Sequence, residues 1–243
     1  MTITSPHNEK LKEIRKLTQR KRWREQAGRF VAEGEDLLQA ADAAGWTPVE
    51  RYCAAGSGLP GTEVDPTLLA TASGLRSGTR ALAVYEERWA PSPAGPLCVY
   101  LHGVSDPGNV GAVLRSAEAF GASAVAVGPE TADPFGPKAV RASMGAVFAV
   151  PLSRVKTITG LPGRISGLPG RTIALSSGQG RPLHELELDG GVSLLIGAER
   201  NGLPAQVIES ADEVAKILIH THSLNAAMAA TVALYEATRM ARS

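Results

Sequence analysis

The sequence predicts an α/β protein with a mostly parallel β-sheet in its C-terminal part and a smaller α/β domain before it. Three observations support this fold class: strand-like and helix-like segments alternate after residue 96, three segments share a strand-then-loop pattern, and a proline-rich stretch divides the chain. Regular alternation of strands and helices is typical of a parallel sheet that is covered by helices on both faces.

The bulk properties fit a globular protein. The chain has 243 residues, 44% hydrophobic and 5% aromatic, with a net charge of +1, so its core must be built from Ala, Val, Leu and Ile. The two cysteines, Cys53 and Cys98, have no metal-ligand spacing and fit a reducing compartment. The first residues contain no apolar signal core, and no apolar run approaches the roughly 18 residues of a membrane span. We therefore expect a cytoplasmic protein without a membrane partner.

The first 90 residues are predicted to form their own domain. Residues 10–29 carry nine basic and two acidic residues, and Leu11, Ile14 and Leu17 recur at helical spacing, which predicts an amphipathic helix with a basic face. A strand, a glycine turn and a helix follow over residues 30–46, with further strands over residues 47–55 and 81–87. Such a basic face suits phosphate contacts of RNA, although a solvated helix face is the simpler alternative. The candidate RNA ligands on this helix are Arg15, Arg20, Arg22 and Arg24.

Residues 91–96 are the predicted linker, since the stretch over residues 89–96 contains three prolines. Residues 97–243 form the second predicted domain. Its predicted strands cover residues 97–101, 124–127, 147–151, 172–175, 193–196 and 215–219. Its predicted helices cover residues 109–120, the segment beginning at 138–144, and 224–240. The glycine-rich repeat over residues 160–170 is read as a surface loop.

Three loops of this domain follow predicted strands, so we expect them to converge at the carboxyl edge of the sheet. The first carries Asn109 and Arg115, the second Glu199 between Gly197 and Gly202, and the third Ser223 and Asn225. Each loop also has a purely structural interpretation. Arg115 can be a solvated surface residue, Glu199 can pair with an arginine, and Ser223 can cap a helix, with Asn225 in its first turn. His220 and His222 lack the further ligands of a metal site, so no metal is expected.

Taken together, these segments resemble the motifs of the SpoU-type (TrmH-like) RNA ribose 2'-O-methyltransferases of the SPOUT class. Asn109, Gly111 and Arg115 have the spacing of the first motif, and Gly197, Glu199 and Gly202 that of the second. Ser223-Leu224-Asn225 opens a helix that ends in Tyr-Glu, as in the third motif, and residues 138–151 resemble the family's Arg-x-Ser-x-Gly segment. The N-terminal part is similar to the small RNA-binding domain that often precedes this catalytic domain.

The resemblance implies a trefoil knot that forms the binding site for S-adenosyl-L-methionine, and a homodimer with the active site at the subunit interface. It implies transfer of a methyl group to a ribose 2'-hydroxyl, with ribosomal RNA as the favoured substrate and transfer RNA as the alternative. The residues that it assigns to the cofactor are Leu175, Ser176, Gly178, Ile196, Gly197, Gly202, Ile217, Ile219, Ser223 and Leu224.

The resemblance also implies catalytic roles for Arg115, Asn109, Glu199, Ser223 and Asn225. Arg115 matches the residue that activates the 2'-hydroxyl, although an ordinary arginine, with a pKa above about 12, stays protonated and acts by position and charge. Arg141 would reach the RNA phosphate from the partner subunit.

One departure concerns the third motif, where Ile217-Leu218-Ile219 stands in place of the family's proline-containing segment. A catalytically silent RNA-binding protein of this fold is therefore one alternative. An ordinary nucleotide- or phosphate-binding α/β enzyme is another, although the chain carries no Walker or Rossmann signature.

Overall fold

The computed structural model describes residues 2–73, 78–156, 165–220 and 223–240. Its N-terminal part is a small sheet with helices around it. Its elements are α1 (Glu9–Gln19), α2 (Lys21–Ala27), β1 (Arg29–Glu33), α3 (Glu35–Ala43), β2 (Glu50–Ala54), β3 (Thr62–Val64), α4 (Pro66–Ala72) and β4 (Ala81–Glu86). The strand order is β1–β4–β2–β3, with β4 antiparallel to both neighbours. The short elements β3 and α4 were not predicted, because three strand residues give too little periodicity to recognise.

The basic helix predicted over residues 10–29 is in fact two helices. Leu11, Ile14 and Leu17 lie on the buried face of α1, as their spacing predicts. Arg20 then adopts an extended conformation, with φ −130° and ψ 112°, which ends α1 and begins α2. The break changes the direction of α2, and Arg24 on α2 is buried against the C-terminal part instead of facing solvent with the other basic residues.

The C-terminal part confirms the predicted parallel sheet. Its elements are β5 (Leu97–Leu101), α5 (Pro107–Ala119), β6 (Ala124–Val127), α6 (Pro137–Ala142), α7 (Ala146–Ala149), β7 (Leu152–Arg154), β8 (Arg171–Leu175), β9 (Arg181–Pro182), a 3₁₀ turn (Leu183–Glu185), β10 (Val192–Ile196), α8 (Ala205–Ser210), β11 (Glu213–Lys216) and α9 (Ala226–Met240). The strand order is β7–β6–β5–β10–β8–β11–β9, and each neighbouring pair is parallel.

Two of the predicted strands have different bounds in the structure. The prediction of a strand over residues 147–151 is wrong. These residues belong to α7 and the segment after it, and β7 begins only at Leu152. Gly145, at φ 102°, starts α7 and lets Val147 and Phe148 reach the core from a single helical turn. The strand predicted over residues 215–219 ends at Lys216, so that Ile217 and Ile219 lie in the irregular segment before α9.

The two parts share an aromatic core. Phe30 of β1 packs with its ring centroid 4.7 Å from that of Phe135 and 5.9 Å from that of Phe148. Trp46 donates its indole N–H to the carbonyl oxygen of Phe148 at 2.8 Å. Burial of several aromatic side chains across one contact is a large apolar contribution, and it fixes the N-terminal sheet against α7.

Both cysteines are buried. Burial raises the pKa of the Cys98 thiol to about 12, so this thiol is unreactive near neutral pH.

Of the repeat over residues 160–170, residues 160–164 lie outside the described part of the chain, and Ile165 is buried in a core cluster. None of the described helices is both long enough and apolar enough to cross a membrane.

Candidate active site

The three loops predicted to converge do meet at the carboxyl edge of the large sheet. Strands β5 and β10 are parallel neighbours with Leu101 opposite Ile196, so the loops that follow them leave the sheet side by side. Asn109 donates its side-chain amide to Glu199 Oε1. Asn225 in turn donates its amide to Asn109 Oδ1 at 3.0 Å. One continuous set of side-chain hydrogen bonds thus ties the three loops together.

The first loop is fixed by a helix cap and by a glycine contact. Asp106 accepts a hydrogen bond from the backbone N–H of Gly108 at 2.6 Å and caps α5. Lys138 donates to the same carboxylate at 2.9 Å, and this hydrogen bond holds the pKa of Asp106 below its ordinary value. A β-carbon on Gly111 would collide with Ala139, so glycine at this motif position lets α5 approach α6 closely.

The second loop is a tight turn that presents residues 199–201 at its tip. Ala198 and Gly202 exchange two backbone hydrogen bonds, of 3.2 and 2.9 Å. Gly202 has φ +65°, a conformation that favours glycine, and a β-carbon on Gly197 would collide with the Gly202 backbone. The two glycines of the motif are therefore required by the shape of the turn that holds Glu199.

The third segment differs in detail from the sequence prediction. Asn225, rather than Ser223, caps α9, because its Oδ1 accepts from the backbone N–H groups of Ala227 at 2.9 Å and Met228 at 3.3 Å. The amide of Asn225 is thereby oriented toward Asn109. His222, one of the two histidines considered as metal ligands, lies outside the described residues. Within the described ranges, no group of three His, Cys, Asp or Glu side chains could hold a metal ion.

A cavity of about 400 Å³ lies beside these linked loops. It opens at the carboxyl ends of β8 and β10 and is closed by the segment before α9 and the start of α9. Nine of the ten residues assigned to the cofactor line it, together with Glu199, and the exception is Gly178. The lining residues that had been assigned from the sequence are Leu175, Ser176, Ile196, Gly197, Gly202, Ile217, Ile219, Ser223 and Leu224.

The lining combines an apolar slot with a charged mouth. Leucine and isoleucine side chains from β8, β10 and the segment before α9 form the slot. The charged residues among the described lining are Glu199 and Arg200, which are adjacent at the tip of the second loop. A ligand with a flat apolar part and a charged end fits such a site, because apolar walls take the ring and the few polar groups fix its orientation.

Arg200 and Asn201 line the cavity but were not assigned from the sequence. Arg200 is exposed, and none of the described residues forms a hydrogen bond or ion pair with its guanidinium. The available signal was its position directly after Glu199 in the second motif, which places it in the same turn.

Arg115 lies apart from both the cavity and the linked amides. It is exposed on α5, six residues after Asn109, which corresponds to about 9 Å along the helix axis and about 120° around it. Within the described part of the chain, its guanidinium has no hydrogen-bonding or ion-pairing partner. The structure therefore presents Arg115 at the surface of the chain, beside the site and not inside it.

The arginines assigned to RNA fall into three groups. Arg20 and Arg22 are exposed, and Arg15 is half-buried and donates to the Pro6 carbonyl oxygen at 3.2 Å. Arg24 is a correction: it is 6% exposed, bonds to Asp133 at 2.8 Å, and donates to a backbone carbonyl, so it is not available to a phosphate. Arg141 lies 3.5 Å from the buried carboxylate of Glu33 in its own chain.

An apolar cavity at the carboxyl edge of a parallel sheet, with three loops tied together at its mouth, defines a ligand-binding α/β protein. Residues 96–235 match the SpoU rRNA Methylase family, and residues 8–87 match the MRM3-like substrate binding domain. The first of these matches spans more than half of the sequence, and the chain therefore belongs to the SpoU rRNA methylase family.

Known proteins of this kind resemble the chain at about one third identity. The Ribosomal RNA small subunit methyltransferase G 2 of Syntrophobacter fumaroxidans is 34% identical over 98% of this chain and 49% of that protein. The 23S rRNA (guanosine-2'-O-)-methyltransferase RlmB of Vibrio vulnificus is 34% identical over 60% of each chain. The crystal structure of the AdoMet-bound rRNA methyltransferase from Sinorhizobium meliloti is 30% identical, with a TM-score of 0.84 over 98% of this chain and 97% of that one. The chain thus spans about half of the first curated relative, 60% of the second and nearly all of the solved structure.

Proposed function

We propose that this protein transfers a methyl group from S-adenosyl-L-methionine to a ribose 2'-hydroxyl of ribosomal RNA, as a cytoplasmic homodimer. The observation that carries the proposal is the hydrogen-bonded set Glu199–Asn109–Asn225 at the mouth of a cavity lined by the residues assigned to the cofactor. The family membership and the activities by which the relatives are named support the same reaction.

The cavity suits the proposed cofactor in size and in chemistry. Its volume of about 400 Å³ lies in the range of small-molecule sites. The apolar slot suits the adenine ring. Glu199 and Arg200 would face the ammonium and carboxylate of the methionine part. When bound, S-adenosyl-L-methionine supplies a methyl group on a positively charged sulfur, which is already activated toward nucleophiles.

In this proposal, the chain's own residues hold the ribose and stabilise charge. Arg115 would bind the phosphate beside the target ribose, so that the 2'-hydroxyl is positioned and its developing negative charge is stabilised. Asn109 and Asn225 would keep the loops in register, and Glu199 would keep the amide of Asn109 oriented. Ser223, at the edge of the cavity, would contact the cofactor, the ribose or both.

The homodimer of the proposal rests on an exposed apolar stripe on α9. Met228, Val232 and Tyr235 are 62%, 39% and 54% exposed and share one helix face at spacings of four and three residues. Tyr235 also contacts the ring of Phe120 at the end of α5. A second copy of the chain packed on this stripe would cover it. It would also complete the surroundings of Arg115, because α5 packs directly beside α9 through Ser116 and Thr231.

We also propose that the C-terminal segment is knotted, as in the family. Supporting this, the connection between β8 and β10 passes along β11, where it forms β9. After β11 the chain returns to pack α9 against α5 and β10, which lie on the other side of β8. A trefoil knot requires that this path cross the connection between β8 and β10, and the arrangement of α9 and β9 on opposite sides of β8 is consistent with that path.

The proposal is tested by methyl transfer to RNA. The purified protein is incubated with radiolabelled S-adenosyl-L-methionine and with transcripts of 23S ribosomal, 16S ribosomal and transfer RNA. A 2'-O-methyl group blocks cleavage of the next phosphodiester bond by alkali, so modified positions appear as gaps in the alkaline ladder. We expect label and one gap in a ribosomal transcript.

Calorimetric titration with S-adenosylhomocysteine measures cofactor binding separately from methyl transfer. Binding at about one site per chain together with RNA methylation supports the whole proposal. Label in transfer RNA alone would reassign the substrate. Binding without transfer to any of the RNAs would favour the silent RNA-binding protein, and the absence of both binding and transfer would refute the proposal.

A further inference from the structure

A second cavity, of about 340 Å³, lies between the N-terminal part and the large sheet. It opens beyond the carboxyl ends of β6 and β7, and α2 and Trp89 close its other side. The strand order places β6 and β7 two to four strands away from β10 and β8, which border the first cavity. At about 4.8 Å per strand, the two cavities are roughly 10–20 Å apart along the same edge of the sheet.

The wall of this second cavity contains an arginine stacked over a tryptophan. The guanidinium carbon of Arg154 lies 4.2 Å from the ring centroid of Trp89, and the ring of Phe135 meets Trp89 edge-on at 5.1 Å. Phe135 thus supports the tryptophan from within the protein. Arg154 remains 46% exposed at its side chain, so the face of the guanidinium away from Trp89 is open to the cavity.

Glu87 fixes both members of this stack. Its Oε2 accepts from the indole N–H of Trp89 at 2.7 Å and from Arg154 Nη2 at 3.4 Å. The Glu87 side chain is only 6% exposed. Burial raises the pKa of this carboxyl, and the hydrogen bond from Trp89 opposes that rise. A buried acceptor that holds both side chains prepares the stack before any ligand arrives.

Cationic side chains surround the opening. Lys21 and Lys156 line it and are exposed, and Arg20 and Arg22 are exposed at the adjacent start of α2. The acidic lining residues are Glu25, Glu130 and Asp133. Asp133 is neutralised by the buried Arg24, Glu25 lies 3.7 Å from Lys21, and Glu130 is exposed. A stacking surface with cations at its rim is the combination that binds single-stranded nucleic acid.

We propose that this cavity, the Trp89–Arg154 cavity, binds an unpaired nucleotide of the substrate RNA that lies a few positions from the methylated ribose. The base stacks on the open face of Arg154, and the phosphates contact Lys21 and Lys156. The inference deepens the proposed function and rests on it, since it assumes an RNA substrate at the first cavity. It predicts that the target lies in a loop or bulge, because a base in a regular duplex is already stacked on its neighbours.

The test compares the same substitution at two arginines that lie over tryptophans. Arg154→Lys keeps the charge but removes the planar group from the cavity. Arg88→Lys is the matched control, because Arg88 lies 4.3 Å from the ring centroid of Trp46 and does not line the cavity. The full-length proteins are titrated with a short single-stranded RNA of mixed sequence and with a blunt duplex of the same sequence, at several salt concentrations. Each variant is also titrated with S-adenosylhomocysteine.

We expect Arg154→Lys to weaken single-stranded RNA binding about fivefold or more, with an unchanged salt slope. Its duplex binding and its S-adenosylhomocysteine affinity should match those of the wild type, as should all properties of Arg88→Lys. Equal single-stranded RNA affinity for wild type and Arg154→Lys would overturn the inference, as would equal losses on both RNAs. Failure of the proposed function is distinct, because the wild type would then show no S-adenosylhomocysteine binding and no methyl transfer.

Discussion

Asn225 donates its side-chain amide to Asn109 across 116 residues of sequence, and this 3.0 Å hydrogen bond joins the loop before α9 to the first turn of α5. The same Asn109 donates to Glu199 on the loop after β10. Each amide uses both of its ends: Asn225 also caps α9 with its oxygen. The relative position of the three loops therefore depends on the donor and acceptor ends of Asn109.

Reversing that polarity should disable the site. Asn109→Asp replaces the donor to Glu199 with a second carboxylate, so repulsion replaces a hydrogen bond to a charged group, and we expect methyl transfer to fall about tenfold or more. Steady-state methyl transfer to the RNA substrate measures it. In the double variant Asn109→Asp, Glu199→Gln, the glutamine amide can donate to the new carboxylate, so methyl transfer should recover in part. A fully active Asn109→Asp variant would contradict the role of this hydrogen bond.

Arg115 should affect the reaction and not the binding of the cofactor. Arg115→Lys keeps the charge but loses the two-pronged contact with phosphate, so we expect methyl transfer to fall by about 100-fold. Its S-adenosylhomocysteine affinity should equal that of the wild type, because Arg115 does not line the cavity. Calorimetry and single-turnover methyl transfer give the two readouts. A matching loss of cofactor affinity would place Arg115 in the cofactor site instead.

Arg200 should recognise the carboxylate of the cofactor. Arg200→Gln removes the cation at the cavity mouth, and we expect S-adenosylhomocysteine to bind about tenfold more weakly. Methylthioadenosine lacks the amino-acid part, so its affinity should not change. Calorimetric titration of both ligands against wild type and variant makes the comparison. Equal losses for the two ligands would indicate a general disturbance of the loop, and equal affinities throughout would show that Arg200 has another partner.

The sequence predicted that the three loops converge, and the residues that it misplaced are those whose positions depend on distant contacts. Strand β5 and the loops carrying Asn109, Glu199 and Asn225 could be assigned from the sequence, because strand ends and helix caps leave local signals. The burial of Arg24 could not be predicted from the sequence, because it depends on an ion pair with Asp133, which is 109 residues away. The strand predicted over residues 147–151 failed because a short apolar run fits a buried helical turn equally well.

The apolar stripe on α9 should hold the proposed dimer together. Val232→Glu places a charge in the middle of the stripe, and burying that charge at an interface is unfavourable. We therefore expect the dissociation constant of the dimer to rise about tenfold or more. Sedimentation velocity over a concentration series measures it. Val49→Glu is the control, because Val49 is a similarly exposed valine, at 44%, in the N-terminal part. A wild type that is monomeric throughout, or a Val232→Glu variant that remains as dimeric as the wild type, would remove the stripe as the interface.

Arg20, Arg22 and Arg24 lie within five residues, but the same substitution should affect RNA binding at the first two and stability at the third. Arg20→Gln, Arg22→Gln removes two exposed cations, so RNA binding should weaken and its salt slope should fall by about 1 to 2, with unchanged stability. Arg24→Gln leaves Asp133 buried without its counter-charge, and we expect a loss of about 3–5 kcal/mol in the free energy of unfolding. Urea unfolding and RNA titration of both variants separate the two effects. Adding Asp133→Asn to Arg24→Gln should recover part of the stability, because the uncompensated charge is then absent. If Arg24→Gln left the unfolding midpoint in place and lowered the salt slope, Arg24 would belong with the RNA-binding residues after all.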